Sequence, residues 1–275
     1  MENNFLIGHD EDGAYVNGNK VSDDEKKDDQ TWEQVAHRLR RETLQKHLKR
    51  QYENTIVLTG AGSSYNMGVS DKKGKLMGGL WEAAVSEFGY EELDNFCQKI
   101  NFSDLKPDNE TTDIEKLLTH AQLYHYVYGL SESDEMTKKL KIMVKDACTL
   151  ILPPENPPRM FLRKLVSKKT KYTRPKIFTL NYDTLFEQAA EKNGFMIIDG
   201  FSYTYPRKFK GTNFDLDVVT RITNRNVLED NFVSNVVHIY KPHGSINWQR
   251  KGEDIIIENE AKESLMIYPS SNKYE

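Results

Sequence analysis

The feature that most constrains this chain is a short apolar run, Thr55-Ile-Val-Leu-Thr59, which continues directly into Gly60-Ala-Gly62. A short, β-branched run that ends at glycines is typical of a buried parallel strand followed by a tight turn. A second such run covers residues 175–180, and a helical pattern over residues 184–192 follows it. This alternation predicts an α/β fold with a Rossmann-like parallel sheet.

The remaining pattern predicts how the chain is divided. Residues 75–170 are mostly helical in their apolar spacing, so we predict an all-α insert between two parts of a Rossmann-like domain, at 53–74 and 171–275. Residues 1–52 are expected to form a helical N-terminal extension. Its polar start, up to residue 30, is interpreted as a mobile arm or an oligomer contact. Its helix should begin at a capping box of Thr31 and Gln34. Further short strands are predicted over residues 196–198, 217–222, 236–240, 255–257 and 265–268.

Composition excludes several classes of protein. The 275 residues include 38 Lys and Arg and 42 Asp and Glu. This near-balanced charge does not indicate a nucleic-acid partner. Two cysteines, Cys97 and Cys148, cannot form a tetrathiolate zinc site, and we interpret them as small buried apolar residues. The N-terminus has no signal-peptide pattern, and no apolar run approaches the roughly 20 residues of a membrane span. The expectation is a cytoplasmic protein without a metal.

The glycine turn is the first of three elements that suggest chemistry. Glycine at Gly60 and Gly62 lets the backbone approach a pyrophosphate closely, and the amides of a following helix, with Ser63 and Ser64, could hold phosphate oxygens. A Gly-Ala-Gly sequence after a strand is often only a tight turn, so this element needs support from others.

The second element is Thr179-Leu-Asn-Tyr-Asp-Thr184, at the end of the second predicted strand. Asn181 lies where ligands bind in open parallel sheets, and its amide can hold a water molecule or a ribose hydroxyl. The structural alternative for Asn181 is a cap or turn residue. For Asp183, capping of the next helix is the favoured interpretation.

The third element, Lys241-Pro-His-Gly-Ser-Ile-Asn-Trp248, follows the strand predicted over residues 236–240. His243 is a candidate general base, since an imidazole titrates near neutral pH. The alternative is a histidine whose ring is satisfied by the neighbouring backbone.

In this order, the three elements resemble the motifs of the sirtuin superfamily. The resemblance extends to Gly68-Val-Ser-Asp71 and Gly79-Leu-Trp81, which are similar to the family's Gly-Ile-Pro-Asp loop and its later Gly-Leu-Tyr or Gly-Leu-Trp. Matching positions run from about Thr55 to Trp248 and are confined to motifs.

Differences from the deacylases of the superfamily indicate which of its branches this sequence resembles. Those enzymes have a zinc ribbon held by four cysteines, and their Pro-Asp-Phe-Arg loop is here Ser70-Asp-Lys-Lys73. The Asn-Tyr-Asp and His-Gly-Ser-x-x-Trp sequences are instead similar to the zinc-free sirtuin-like domains of prokaryotic antiviral defence systems, which hydrolyse NAD. The resemblance therefore implies an NAD hydrolase that depletes NAD during infection.

The resemblance also implies a role for each site residue. Gly60, Ala61, Gly62 and Ser63 would bind the phosphates of NAD, the substrate. Asn181 would position the ribose or the attacking water, and His243 would accept its proton. Asp71 and Asp183 are weaker candidates for the nicotinamide ribose or carboxamide, and Gly244 and Ser245 are expected to contact the dinucleotide.

Partners are implied in the same way. Proteins of this branch work beside a HerA-type ATPase, an Argonaute or a nucleotide-sensing module, and a homo-oligomer is expected. The family's late strand-loop element over the adenosine is not found before Glu275. Either the sequence stops before it or this branch closes the site differently, for example with a neighbouring subunit. The adenine contacts are therefore unassigned.

Two other functions stay open. The first is a deacylase or ADP-ribosyltransferase, against which the missing zinc ribbon argues. The second is a non-catalytic subunit that binds NAD or ADP-ribose, against which the presence of both Asn181 and His243 argues.

Overall fold

A computed structural model describes residues 6–27, 29–49, 52–108, 110–129, 131–166, 173–220 and 231–268, apart from the side chains of residues 48 and 131–134. The chain divides into two compact units, Met1–Glu53 and Asn54–Glu275.

The first unit contains a small antiparallel sheet. Its strands are β1 (Ile7–His9), β2 (Ala14–Val16) and β3 (Asn19–Lys20), in the order β1-β2-β3. The interpretation of this segment as a mobile arm is therefore wrong for residues 7–20. The missed signal is Asn17-Gly18, because both residues have positive φ, as a two-residue type I′ hairpin turn requires.

Helix α1 (Trp32–Lys49) completes this unit and begins where the sequence predicts. The Thr31 amide donates to Oε1 of Gln34 at 2.9 Å, and the Gln34 amide donates to Oγ1 of Thr31 at 3.3 Å. The predicted capping box is thus confirmed. Val35 and Ala36 of α1 are buried with Ile7 and Ala14, forming the core of the unit.

The second unit is built on a parallel sheet of four strands. These are β4 (Ile56–Thr59), β5 (Lys176–Thr179), β6 (Met196–Ile198) and β7 (Val236–Tyr240), in the order β4-β5-β7-β6. Every neighbouring pair is parallel, with Thr59 opposite Thr179 and Phe178 opposite Tyr240. The predicted Rossmann-like parallel sheet is confirmed. The segments that follow β4, β5 and β7 consequently leave the sheet at the same edge.

The helices between β4 and β5 have the bounds α2 (Met77–Phe88), α3 (Tyr90–Lys99), α4 (Ile114–Tyr128), α5 (Ser131–Cys148) and α6 (Pro157–Val166). Helices α2 to α5 share one apolar core, and this core also contains Tyr182, Ile246 and Tyr268 from segments beyond β5 and β7. The helical segment therefore packs against the residues that follow the strands. In the described part of the chain, no helix has the length and apolar character of a membrane span.

The two faces of the parallel sheet differ. Helices α6 and α7 (Leu185–Lys192) pack on one face, where Leu162 and Phe186 meet Ile177 and Ile239. On the other face, the Phe178 and Tyr240 rings stack with centroids 4.4 Å apart, and Phe214 stacks on Tyr240 at 4.1 Å.

After β7 the chain forms an antiparallel hairpin of β8 (Trp248–Lys251) and β9 (Asp254–Ile257). Two predicted strands are wrong. Within residues 217–220 there is only an isolated bridge from Val219 to Phe232, and residues 221–222 lie outside the described residues. Residues 265–268 form a single bridge, Met266 to Gly244, because this segment follows the loop after β7 for only a few residues.

We predict that His238 on β7 makes stability depend on pH. Burial lowers the pKa of His238 below its usual value near 6.5. A base with a lowered folded-state pKa contributes stability that is present above the unfolded pKa and is lost as pH falls. The free energy of unfolding should therefore fall between about pH 7 and pH 5, and His238→Phe should flatten this fall, as measured by urea denaturation.

The control is the same comparison at about pH 8, where the imidazole is neutral in the folded and unfolded chain. An equally steep fall in His238→Phe would contradict the assignment.

Candidate functional site

A cavity of about 210 Å³ opens at the carboxyl ends of the parallel strands. Its walls come from the turn after β4, the segment after β5, the loop after β7, and helices α2, α4 and α5. The residues of the helical wall are Met77, Leu80, Glu115, Ala147 and Cys148, and the segments next to α2 and α5 add Gly74, Lys75 and Leu150. The cavity thus lies between the edge of the sheet and the helices, where ligands bind in open α/β sheets.

Six of the predicted site residues line this one cavity: Gly60, Ala61, Ser64, Asn181, Asp183 and His243. They come from three segments that are far apart in sequence. The parallel register explains their meeting, because Thr59 and Thr179 end side by side and β7 lies next to β5.

A hydrogen-bond network fixes the side chain of Asn181. Its Nδ2 donates to Oγ of Ser64 at 2.7 Å and to Oγ of Ser63 at 3.1 Å. The Ser64 hydroxyl in turn donates to Oδ2 of Asp183 at 2.6 Å. Because a hydroxyl has one proton, Ser64 must accept from Asn181, which sets the orientation of the amide. The carbonyl oxygen of Asn181 is then the atom that can accept from a substrate hydroxyl or a water.

Asp183 combines two structural contacts. Oδ1 accepts from the Leu185 amide at 3.0 Å, while Oδ2 accepts from Ser64. The N-cap residue of α7 is Thr184, so the predicted cap at Asp183 is wrong by one position, although the Asp183 side chain still binds the first amide of the helix. The residue is buried. Its carboxylate therefore connects the start of α7 to the turn after β4.

The turn after β4 differs from the prediction in one respect. An α-helix start was expected after the glycines, but Ala61–Ser63 form a single 3-10 turn. A Cβ added at Gly60 or Gly62 would meet no atom within 4 Å, and neither residue has positive φ. Packing within the chain therefore requires glycine at neither position, and the open space leaves the backbone accessible to a ligand.

Other predicted residues lie beside the cavity or away from its walls. Ser63 contacts Asn181 and donates its hydroxyl to the Gly60 carbonyl at 2.9 Å, without lining the cavity. Gly62 belongs to the same turn. Asp71 is exposed and does not line the cavity.

Gly244 and Ser245 are buried below His243. Gly244 has φ of 79°, and a Cβ there would lie 2.1 Å from the Leu265 carbonyl oxygen. The Ser245 hydroxyl donates to the Tyr182 carbonyl at 3.2 Å. These two residues therefore shape the loop that carries His243, and their contact with a dinucleotide stays a prediction.

A buried cation lies behind the site. Lys241, at the end of β7, is 6% exposed and donates to the Asp183 carbonyl and, at 2.8 Å, to Oγ of Ser245. It also forms an ion pair with Glu187 of α7 at 3.2 Å. Burial raises the pKa of Glu187, and the charge of Lys241 opposes that rise. Lys241 thus joins the segment that holds Asn181 to the loop that holds His243.

Sequence reasoning missed Glu115 and Tyr182. Tyr182 is buried, and its hydroxyl lies 2.9 Å from Oε1 of Glu115. Glu115 stands in the first turn of α4 behind its cap, Asp113. That position is ordinary for an acidic residue, so the sequence carried no signal of a site there.

Cys148 is half-buried and lines the cavity, whereas Cys97 is buried in the helical core. Burial, with smaller contributions from Asp183 and Glu115, raises the pKa of the Cys148 thiol to about 12. The thiol is therefore protonated at neutral pH and is a poor nucleophile. Among the described residues, no group of three His, Cys, Asp or Glu side chains could hold a metal ion.

We predict opposite outcomes for alanine at two motif glycines. Gly244→Ala should destabilise the fold by about 1–3 kcal/mol or more, because its Cβ meets backbone at positive φ. Gly60→Ala should leave the melting temperature near that of the wild type but weaken dinucleotide binding. Thermal unfolding and NAD titration measure the two effects. Equal destabilisation by both changes would contradict this distinction.

We also predict that Lys241→Met destabilises the protein by about 1–3 kcal/mol, because it leaves the Asp183 carbonyl and the Ser245 hydroxyl without their buried donor and the half-buried Glu187 without its cation. Lys251→Met is the matched control, since it breaks only the exposed pair with Glu258 and should cost less than about 1 kcal/mol. Guanidinium denaturation measures the free energy of unfolding of both variants. A cost for Lys241→Met no larger than that of the control would show that the buried pair is dispensable.

The class of this protein follows from its fold and from comparison with known protein families. The fold and the strand-end cavity define a Rossmann-like α/β protein, and residues 175–275 match the family described as SIR2-like domain. This part of the chain, which contains Asn181 and His243, is therefore similar to a SIR2-like domain. The family uses NAD. No curated protein matches the chain significantly.

Proposed function

We propose that this protein is an NAD hydrolase, which cleaves the bond between nicotinamide and ribose to give ADP-ribose and nicotinamide. The observation that carries the proposal is the meeting of Gly60, Ala61, Asn181 and His243 in one cavity at the strand ends. A phosphate-binding turn, a polar amide and a general base are the groups that this reaction needs.

The charges of the cavity support a cationic substrate. Asp183 and Glu115 line the cavity with two carboxylates, against one cationic side chain, Lys75, among its described lining residues. The nicotinamide ring of NAD carries a positive charge, and the transition state of its loss resembles an oxocarbenium ion. Nearby carboxylates stabilise such a cation.

The chemical step follows from these groups. The bond between C1′ of the ribose and N1 of nicotinamide breaks, and its electron pair leaves with N1, which neutralises the ring. A water oxygen bonds to C1′, and His243 accepts the proton of that water, directly or through a ribose hydroxyl. Asn181, oriented by Ser64, accepts a hydrogen bond from the water or the ribose. Gly60, Ala61 and Gly62 present backbone to the pyrophosphate.

We predict that Asn181→Ala and His243→Ala each lower the rate of nicotinamide release by on the order of 10²–10⁴-fold, because each removes a group that acts on the water or ribose. Asn95→Ala and His9→Ala, at exposed positions, are matched controls that should keep the wild-type rate. Purified protein is incubated with NAD, with and without the proteins encoded beside it, and nicotinamide is measured by chromatography.

Two results would count against the proposal in different ways. Absence of turnover in the wild type under every activating condition would overturn the enzyme assignment. Turnover that survives both substitutions would overturn the assignment of the site.

The alternatives give distinguishable products. A deacylase or ADP-ribosyltransferase would release nicotinamide only when an acylated or acceptor substrate is added. A non-catalytic subunit would bind NAD or ADP-ribose and leave it intact. The turnover assay, repeated with an acetylated peptide, separates all three.

We propose that the protein acts in antiphage defence by depleting NAD in the cytoplasm. Constitutive NAD hydrolysis would harm the host cell, so the resting protein should be inactive. Residues 1–52 and the helical insert at 75–170 are proposed as the oligomer contacts that hold this state. A partner such as a HerA-type ATPase or another sensor is proposed to release it. Constitutive activity in a monomer would contradict this regulation.

A further inference from the structure

A second cavity, of about 600 Å³, lies between the end of α5, the start of α7 and the loops on either side of the β8–β9 hairpin. Leu150 is the one described residue that lines both this cavity and the strand-end cavity. The volume of the second cavity falls within the ~300–1,000 Å³ of typical ligand pockets. It is therefore a separate site of ligand size, and Asn181 and His243 lie outside its lining.

The wall of the second cavity carries hydrogen-bonding groups with capacity left for a ligand. Asn247 lines it, and its Oδ1 is buried without a hydrogen-bond partner among the described residues. Thr184 accepts from Nε2 of Gln188 at 3.0 Å, so the Thr184 hydroxyl can still donate its own proton. Nζ of Lys145 donates to the Ala261 carbonyl, and an ammonium has two further protons to donate.

The charges around the second cavity balance. Lys145 and Lys262 line it together with Asp146 and Glu260, and each of the four except Lys145 is exposed. Two cations beside two carboxylates favour neither an anionic nor a cationic ligand. A neutral ligand is therefore the best electrostatic fit.

The chemistry of the lining selects a neutral ligand that has hydroxyl groups and an apolar face. A hydroxyl both donates and accepts, so it can serve the Asn247 amide as well as the donors Thr184 and Lys145. A carboxylate or phosphate oxygen can only accept. Leu150 and Ile246 are buried and give the cavity an apolar part against which a flat ring can pack.

We propose that the second cavity binds a neutral nucleoside. Its ribose hydroxyls bond to Asn247, Thr184 and Lys145, and its base packs against Leu150 and Ile246. A nucleoside combines the three properties that the lining requires, which are neutrality, vicinal hydroxyls and a flat ring. This site goes beyond the proposed function, because it assigns a second ligand and needs no turnover of NAD.

Titration calorimetry of the full chain with adenosine tests this site, and 2′,3′-dideoxyadenosine is the probe that lacks the vicinal hydroxyls. The wild type should bind adenosine at least about tenfold more tightly than the dideoxy analogue, because both hydroxyls lose their hydrogen bonds. Asn247→Ala should weaken adenosine binding by about five- to tenfold. Asn95→Ala, at an exposed position outside the second cavity, is the matched control and should keep the wild-type affinity.

Two further variants locate the bound nucleoside. Thr149→Phe fills the second cavity from an exposed position and should abolish adenosine binding. Asn181→Ala alters only the strand-end cavity, so adenosine affinity should be unchanged in it. Binding that is lost in Asn181→Ala but kept in Thr149→Phe would place the nucleoside in the strand-end cavity and overturn the proposal.

The remaining outcomes are equally decisive. Absence of saturable adenosine binding, or equal affinity for the two nucleosides, would overturn the second site. If Asn247→Ala does not fold, Thr149→Phe and the comparison of the two nucleosides on the wild type decide. Each measurement is made without NAD, so failure of the hydrolase proposal leaves this result unaffected, and the reverse is also true.

Discussion

Parallel, in-register pairing of β4, β5 and β7 is the constraint on which the site depends. Thr59 stands opposite Thr179, and β7 pairs with the other side of β5. The three segments that leave these strands must therefore start next to one another. Without that register, the glycine turn, Asn181 and His243 would be three unrelated polar features, each with a structural explanation of its own.

Buried polar contacts then convert neighbouring segments into a defined geometry. Lys241 binds the Asp183 carbonyl and Ser245, which connects the segments after β5 and β7. Ser64 connects Asn181 and Asp183 to the turn after β4. A polar network with its partners in place allows few alternative arrangements, because breaking any one bond leaves a buried group unsatisfied. The same contacts therefore stabilise the fold and orient the Asn181 amide.

Sequence patterns predicted the parts of this fold that depend on local chemistry. The β-branched runs predicted β4, β5 and β7, and Thr31 with Gln34 predicted the start of α1. The prediction of a strand over residues 265–268 is wrong, because an apolar pattern does not reveal whether a partner strand is available. The sheet at residues 7–20 was missed because polar composition outweighed the Asn17-Gly18 turn signal. Glu115 could not be found, since its place in the site depends on how α4 packs against Tyr182, which is a property of tertiary structure.

We propose that NAD binds with its nicotinamide end in the cavity beside Asn181. A crystal structure of the His243→Ala protein grown with saturating NAD tests it most directly, because slow turnover preserves the substrate. Density for the pyrophosphate is expected against the backbone of Gly60 and Gly62, and density for the nicotinamide ring is expected between Asn181 and the helical wall that contains Glu115. Density for NAD elsewhere on the protein, or an empty cavity at saturating NAD, would contradict it.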